Sequence, residues 1–327
     1  MLPPLPTLVV TIAILFLLAQ VVVRHAERLA ARLGLSDSFV GMTVLSVGAS
    51  LLEIVTHAVA SVRILQEPSR FESLSSLIIG TNVGSDVFQQ NFVLPLVGLL
   101  GAVFVSRTDL LPHLGGLLAA SVLLWVLALG GLISRPEGVL LMASYGAYIL
   151  YLARRPRGPI VATPTRDVPQ PTALAVSAAV LVLGCVGMTL AAYPMLGAAE
   201  ELVDDLGVSA SFFGVVILGV ATAMPEFTTA LVAAVRGRRE LSAGVLIGSN
   251  VTNPLFSIGL GAAISRYAVP EVTILFDLPV KVGTGLLLLL FLRRGQRLSR
   301  PAAVSLLALY FLYLLLRQQL FPQDVPA

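Results

Sequence analysis

The sequence predicts an all-α polytopic membrane protein with ten transmembrane helices in two inverted five-helix repeats. Three observations carry that prediction. The first is composition: mean hydropathy is +0.92, 57% of residues are apolar and 12% are charged, about half the charge of a soluble globule. The second is a duplication. Leu33–Glu53, LGLSDSFVGMTVLSVGASLLE, recurs as Leu206–Glu226, LGVSASFFGVVILGVATAMPE. The offset of 173 holds without a gap, and nine of twenty-one positions are identical, including Gly34/Gly207, Ser36/Ser209, Gly41/Gly214 and Glu53/Glu226. The third is an uneven placement of arginine along the chain.

Each element follows from apolar run length, since a span needs roughly 20 mainly apolar residues. Runs such as Leu8–Val23, Leu117–Leu132, Leu174–Ala191 and Val282–Leu292 are almost uncharged. The first half is expected to hold helices at about 5–24, 38–63, 74–104, 109–133 and 137–153. The second is expected to hold them at about 173–204, 209–235, 241–266, 271–293 and 300–319. The start, MLPPLPTLVV, has no basic n-region, so helix 1 reads as retained rather than cleaved. Arg24–Arg32 continues it as a basic interfacial face. The Pro/Arg-rich stretch Arg154–Pro171, RRPRGPIVATPTRDVPQP, is the linker, and it separates residues 1–153 from 172–327. Cys185 lies in an apolar helix and reads as a small core residue, which excludes a disulfide framework.

The duplication extends further. Gly80–Asp86, GTNVGSD, pairs with Gly244–Asn250, GVLIGSN. Ser134-Arg135-Pro136 with Tyr145 and Tyr148 pairs with Ser299-Arg300-Pro301 with Tyr310 and Tyr313, at the same spacing. Five helices per half is odd, so the second half enters the membrane in the opposite sense. Inverted repeats of this kind place their sites near the midplane, where the halves meet. Charge gives the orientation. With the linker in the cytoplasm, fifteen arginines lie inside and five outside (Arg63, Arg70, Arg135, Arg266 and Arg317), a positive-inside bias. The expected location is therefore the cell (inner) membrane, multi-pass, with both termini outside.

An acid inside a membrane helix is costly and so marks function. Glu53 and Glu226 occupy equivalent places on helices 2 and 7, next to glycines, and Pro225 blocks regular helix in the second. Ser50 and Thr222 lie about one turn before them. Helices 3 and 8 add Ser85 with Gln89 and Ser249 with Asn253, each pair at i,i+4 and so on one face. Two carboxylates with hydroxyls, amides and carbonyls make an all-oxygen set, which suits hard cations such as Ca²⁺ or Na⁺. Gly80/Gly84 and Gly244/Gly248 read as packing residues. His57, one turn from Glu53, reads first as packing and second as a proton relay; Asp86 is the other relay candidate. Asp277 and Lys281, at i,i+4, read as a local ion pair.

At these residues the chain resembles the sodium/calcium exchanger family of the calcium/cation antiporters, prokaryotic ten-helix type. That family carries a G-T-S-L-P-E-like motif on the second helix of each repeat and a G-S-N-x-x-N/D-like motif on the third. The resemblance implies that Glu53 and Glu226 are the central Ca²⁺ carboxylates, shared with Na⁺. It implies flanking Na⁺ sites lined by Ser50, Thr222, Ser85 and Ser249, with carbonyls from Ser46, Ala49, Gly219 and Thr222, and middle-site amides from Gln89 and Asn253. The chain departs from the pattern at Ala49 (for Thr), Leu52 (for Pro), Ala223 (for Ser), Gln89 (for Asn) and Asp86 (for Asn). The lost hydroxyls weaken the case for Na⁺.

The expected activity is exchange of Ca²⁺ against Na⁺ by alternating access, with a Ca²⁺/H⁺ exchanger as the alternative and a cation channel behind both. An intramembrane aspartyl protease is set aside because no G-x-G-D signature with a partner aspartate is present. No enzyme activity and no cofactor are expected. The expected partners are inorganic cations and the lipid bilayer, with no nucleic acid and no obligate protein.

Overall fold

The computed structural model describes residues 3–32, 46–101, 103–155, 171–237, 239–321 and 323–324. The opening of the first repeat, 33–45, and the linker segment 156–170 lie outside the described residues. So do Arg157, Arg166 and Arg238 and the side chains of Arg28 and Arg32.

The protein is an all-α membrane protein whose described residues form fifteen α-helices, several of them joined by π turns. The first half contains α1 (Pro4–Arg32), the broken pair α2 (Ser46–Ala49) and α3 (Leu51–Gln66), then α4 (Phe71–Phe88). A π turn, Gln89–Val93, joins α4 to α5 (Leu94–Leu99); α6 (Arg107–Ala128) and α7 (Arg135–Arg154) follow. The second half opens with α8 (Pro171–Leu206). Next comes a thrice-divided segment: α9 (Ala210–Phe213), a π turn at Gly214–Leu218, α10 (Gly219–Thr222) and α11 (Met224–Val235). Then come α12 (Arg239–Thr252), a π turn at Asn253–Ser257 and α13 (Ile258–Ser265). A π turn at Thr273–Asp277, α14 (Leu278–Gly295) and α15 (Arg300–Leu320) complete the chain.

Pro4–Val22, Arg107–Ala128, Ala179–Leu206, Thr273–Gly295 and Arg300–Leu320 are each long and apolar enough to cross a membrane alone. The pair Ala210–Thr222 and Met224–Val235 makes a sixth such span, bent by 40°. The segments outside this set include those that carry the polar site, which lowers their hydropathy. Leu111, Leu183, Leu190 and Phe311 point outward and exposed, as a lipid-facing surface requires.

Local sequence explains the helix starts. Ser209 Oγ accepts from Phe212 N at 3.2 Å, and Ser299 Oγ accepts from Ala302 N at 3.4 Å. At the start of α7, Glu137 reaches back to accept from Ser134 N at 2.7 Å. These contacts satisfy donors that the first helical turn leaves open. The duplicated Ser-Arg-Pro is thus a helix-start signal used twice, with proline in the first turn where no N–H is needed.

Glycine sets the closest approach in the core. A Cβ on Gly219 would lie 2.7 Å from Ser85 N, and one on Gly84 would lie 2.6 Å from Val215 O. Gly80 and Gly214 meet backbone in the same way. Here α4 and the α9–α10 segment pack backbone against backbone, as small residues permit in membrane helices. The expected packing role of Gly80 and Gly84 is what the contacts display.

Contacts tie the helix ends together. Arg63 and Arg70 meet Glu200 at 3.2 and 2.9 Å, Leu132–Ile133 pairs antiparallel with Tyr267–Ala268, and Ser211 meets Arg317 and Asp324. Val105 N donates to Gln296 O at 3.0 Å, and Arg155 bonds the Thr108 carbonyl at 2.8 Å. Helices α1 and α8 run antiparallel, with Val22 against Gly184 and Leu18 against Gly187.

Candidate functional site

Two helix breaks create the site. Ser50 separates α2 from α3 with φ −78° and ψ 9°, and Ala223 separates α10 from α11 with φ −78° and ψ −4°. These residues are equivalent in the duplication, and so are their backbone conformations. Pro225 supports the second break, because without an N–H it cannot bond the Ala221 carbonyl. The first break forms with Leu52 in the corresponding place. Beyond each break a new helix begins, and its first turn carries Glu53 or Glu226. Both carboxylates are therefore held at helix N-termini, where the dipole favours negative charge.

Glu53 and Glu226 are both completely buried and act on each other electrostatically. Ser85 Oγ donates to Glu53 Oε1 at 3.0 Å, and Ser50 Oγ donates to Glu226 Oε1 at 3.1 Å. The second bond crosses from one half of the chain to the other. The remaining oxygens, Glu53 Oε2 and Glu226 Oε2, are buried without a hydrogen-bond partner, and so is Asn253 Oδ1. Ser249 Oγ is also fully buried without a hydrogen-bond partner. A buried oxygen that lacks a donor is costly, and the open oxygens of the two acids need something positive to meet them. Among the described residues no cluster of three or more His, Cys, Asp or Glu side chains is arranged to hold a metal. The oxygen set instead combines two carboxylates with hydroxyls and amides.

The other candidates separate into groups. Gln89, at the start of its π turn, donates to Ser85 Oγ at 3.1 Å and accepts from Asn250 Nδ2 at 3.4 Å. It therefore supports the Glu53 arm. Asn253, at the start of the equivalent π turn, donates to Asp86 Oδ1 at 2.9 Å. Thr222 turns back onto its own helix and donates to Gly219 O at 3.3 Å. Ser46 meets Thr252 Oγ1 at 3.3 Å, and its carbonyl accepts from Ser50 N at 2.9 Å. Ala49 is fully buried beside the break.

His57 is built into a closed network. Asn82 Nδ2 meets its Nε2 at 3.2 Å, and Tyr267 Oη meets its Nδ1 at 3.1 Å. The tyrosine hydroxyl also reaches the His57 carbonyl at 3.0 Å and Ser61 Oγ at 2.7 Å. Both ring nitrogens therefore have a partner within hydrogen-bond distance.

The expected local pair of Asp277 and Lys281 does not form. Lys281 Nζ instead reaches across to Asp86 Oδ2, with both side chains fully buried. Asp277 accepts from Arg317 Nε at 3.2 Å, from Tyr313 at 2.9 Å and from Thr273 at 3.2 Å. Neighbours on one helix share a face for only ~0.2–0.5 kcal/mol. A buried charge left without a partner costs several times more, so the two long-range pairs prevail. Sequence reasoning missed Lys281 as a neighbour of the site. The available signal was that Asp86 needs a counter-charge and that Lys281 is the only lysine in the chain.

Comparison with known proteins agrees with this architecture. A model of the family described as sodium/calcium exchanger protein matches residues 4–154 and 176–318. The inner membrane protein YrbG of Escherichia coli K12 is 25% identical over 323 residues, covering 96% of this chain and 97% of the relative. The sodium/calcium exchanger MaX1 of Methanosarcina acetivorans is 23% identical, covering 89% and 92%. Among solved structures, one of the sodium-calcium exchanger NCX_Mj superposes with a TM-score of 0.67 at 23% identity, covering 94% of this chain and 96% of that one. That likeness concerns the fold. With the family's match spanning most of both halves, the chain belongs to the sodium/calcium exchanger family of membrane transporters.

Proposed function

We propose that the protein is a secondary-active antiporter that exchanges Ca²⁺ against Na⁺ at a midplane site between Glu53 and Glu226. The observation that carries this reading is the pair of buried carboxylates, each with one oxygen closed by a serine and one left open. Two negative charges match one Ca²⁺, and carboxylate, hydroxyl and amide oxygens are what hard cations take. Transport then follows from competition: both ions need the two glutamates, so one leaves before the other binds. Ser50, Ser85, Thr222, Ser249 and Asn253 supply further oxygens in this reading, with the Ser46, Ala49 and Gly219 carbonyls at the breaks. Gln89 holds Ser85 in place.

Residues 1–153 and 172–327 act as the two inverted repeats, with 154–171 as a cytoplasmic linker and both termini outside. The matched backbone at Ser50 and Ala223 supports the repeat, and the fifteen-to-five arginine placement supports the orientation. A cysteine introduced into the linker, in a Cys185→Ala background, should label only from the cytoplasmic side; labelling from outside reverses the orientation.

Ca²⁺/H⁺ exchange is the second reading, favoured by Ala49 and Ala223, which are fully buried where the family has hydroxyls. The deciding measurement is Ca²⁺ flux in proteoliposomes with Na⁺ and pH gradients imposed separately. Flux driven by Na⁺ alone supports the first reading and flux driven by pH alone the second. Flux that needs no counter-ion on the far side sinks both in favour of a channel.

A further inference from the structure

The fully buried pair of Asp86 and Lys281 sits beside the site without being part of the Glu53–Glu226 set. Asp86 lies on α4, one residue after Ser85, which holds Glu53. Its Oδ1 accepts from Asn253 at 2.9 Å, and its Oδ2 meets Lys281 Nζ from α14. Asp86 acts electrostatically on both Glu53 and Glu226. The equivalent residue of the second half is Asn250, which is uncharged. One half of the protein thus carries an acid next to the site where the other carries an amide, together with a cation from another helix to meet it.

We propose that Lys281 is a tethered cation: its ammonium fills, at Asp86, a monovalent-cation position beside the Glu53–Glu226 site and thereby denies that position to a transported ion. A lysine ammonium is a compact point charge on a flexible stem, a fair substitute for K⁺ or Na⁺. The Asn253 amide also meets Asp86, and its own Oδ1 is buried without a hydrogen-bond partner. The charge count closes. Asp86 and Lys281 cancel, and one Ca²⁺ cancels the two glutamates. Truncating Lys281 leaves one surplus negative charge at membrane depth, an expensive state that a small monovalent cation relieves.

In its consequence for transport, the proposal rests on the Ca²⁺/cation exchange reading; in its consequence for binding it does not. The experiment compares the parent protein with Lys281→Ala and with Asp86→Asn/Lys281→Met. Thermal unfolding is measured without Ca²⁺ in chloride salts of K⁺, Na⁺, methylammonium and N-methylglucamine at equal ionic strength. Ca²⁺ flux is then measured in the same salts. Lys281→Ala should gain several degrees more than the parent does, saturably, from at least one of the three small cations over N-methylglucamine, and that cation should raise its flux at least tenfold. The parent and the double variant should match each other in every salt, with only the Na⁺ effect that the two glutamates give. Equal melting of Lys281→Ala in every salt overturns the proposal. So does a double variant that responds as strongly as the single one, or a Lys281→Ala chain that folds in none of the salts. A parent without Ca²⁺ flux would sink the exchange reading and leave the melting comparison intact.

Discussion

Four carboxylates are fully buried among the described residues, and they form two contrasting pairs. Asp86 and Asp277 have both oxygens engaged, and each meets a cation supplied by the protein, Lys281 or Arg317. Glu53 and Glu226 each have one oxygen closed by a serine and one open. The same group at the same burial is thus finished in two ways. Where the charge is matched within the chain, the acid ties helices together. Where it is not, the matching charge has to come from solution, which is the condition for an ion to arrive and leave. This contrast predicts opposite responses to neutralising each kind of acid.

The largest effect is expected at the glutamates. Glu53→Gln or Glu226→Gln removes half the charge that balances Ca²⁺ in a dry site, a loss of about 2–5 kcal/mol, or roughly thirty- to several-thousandfold in affinity. Calorimetric Ca²⁺ titration should show no measurable binding, and flux should fall to background. Without Ca²⁺, these variants should melt no lower than the parent, since each loses a charge that had no partner. Near-normal exchange in either single variant would end the shared-site reading.

Asp277→Asn should do the reverse. Arg317 would keep its bonds to Ser211 and the Phe321 carbonyl and its longer contact with Asp324 at 3.9 Å but lose its fully buried charge partner. Breaking a buried pair costs about 3–5 kcal/mol, a fall of roughly 5–10 °C in melting midpoint. Flux per folded molecule should stay near that of the parent. If transport fails while stability holds, Asp277 belongs to the ion path and the contrast between the two kinds of acid is wrong.

A smaller effect is expected where backbones touch. Gly84→Ala places a methyl group against Val215 O and Cα, and overpacking of this kind costs about 1–3 kcal/mol. It should push α4 away from the α9–α10 segment and displace Ser85, lowering both melting midpoint and Ca²⁺ affinity. An unchanged affinity would show that Ser85 is positioned by Glu53 and Gln89 alone.

Much of this was legible in the sequence for identifiable reasons. The apolar runs and the duplication located the helical segments, and the repeat paired Ser134-Arg135-Pro136 with Ser299-Arg300-Pro301 before their role as helix starts was visible. Glu53 and Glu226 stood out because membrane burial makes any acid informative. What could not be read was which cation meets which acid. Asp277 and Lys281 satisfied a spacing rule of small energy, while their true partners come from other helices, through contacts of larger energy that no local pattern records. The break at Ser50 was also only half visible, since its twin at Ala223 has a proline nearby and it does not. The cross-chain bond from Ser50 to Glu226 required knowing how the halves pack.

The smallest expected effect tests the coupling ion. In the duplication Ala49 is equivalent to Thr222 and Ser50 to Ala223, so each half keeps one hydroxyl of a two-residue pair and lacks the other. Ser50 uses its hydroxyl on Glu226 Oε1 at 3.1 Å. By the equivalence of the two breaks, a hydroxyl at position 223 would serve Glu53, whose Oε2 is open. Ala223→Ser with Ala49→Thr should therefore add oxygen ligands without adding charge. One hydroxyl is worth about 1 kcal/mol, roughly fivefold in affinity. The added methyl of threonine, at a fully buried alanine, takes back part of that gain through overpacking. The expected outcome is a Na⁺ concentration for half-maximal Ca²⁺ release that falls a few-fold, while Ca²⁺ affinity, governed by the two carboxylates, hardly moves. Flux against stepped Na⁺ gradients at constant pH measures it. If the parent already shows steep, saturable dependence on Na⁺, the missing hydroxyls are not what sets the coupling ion, and Na⁺ must be held by the glutamates and carbonyls alone.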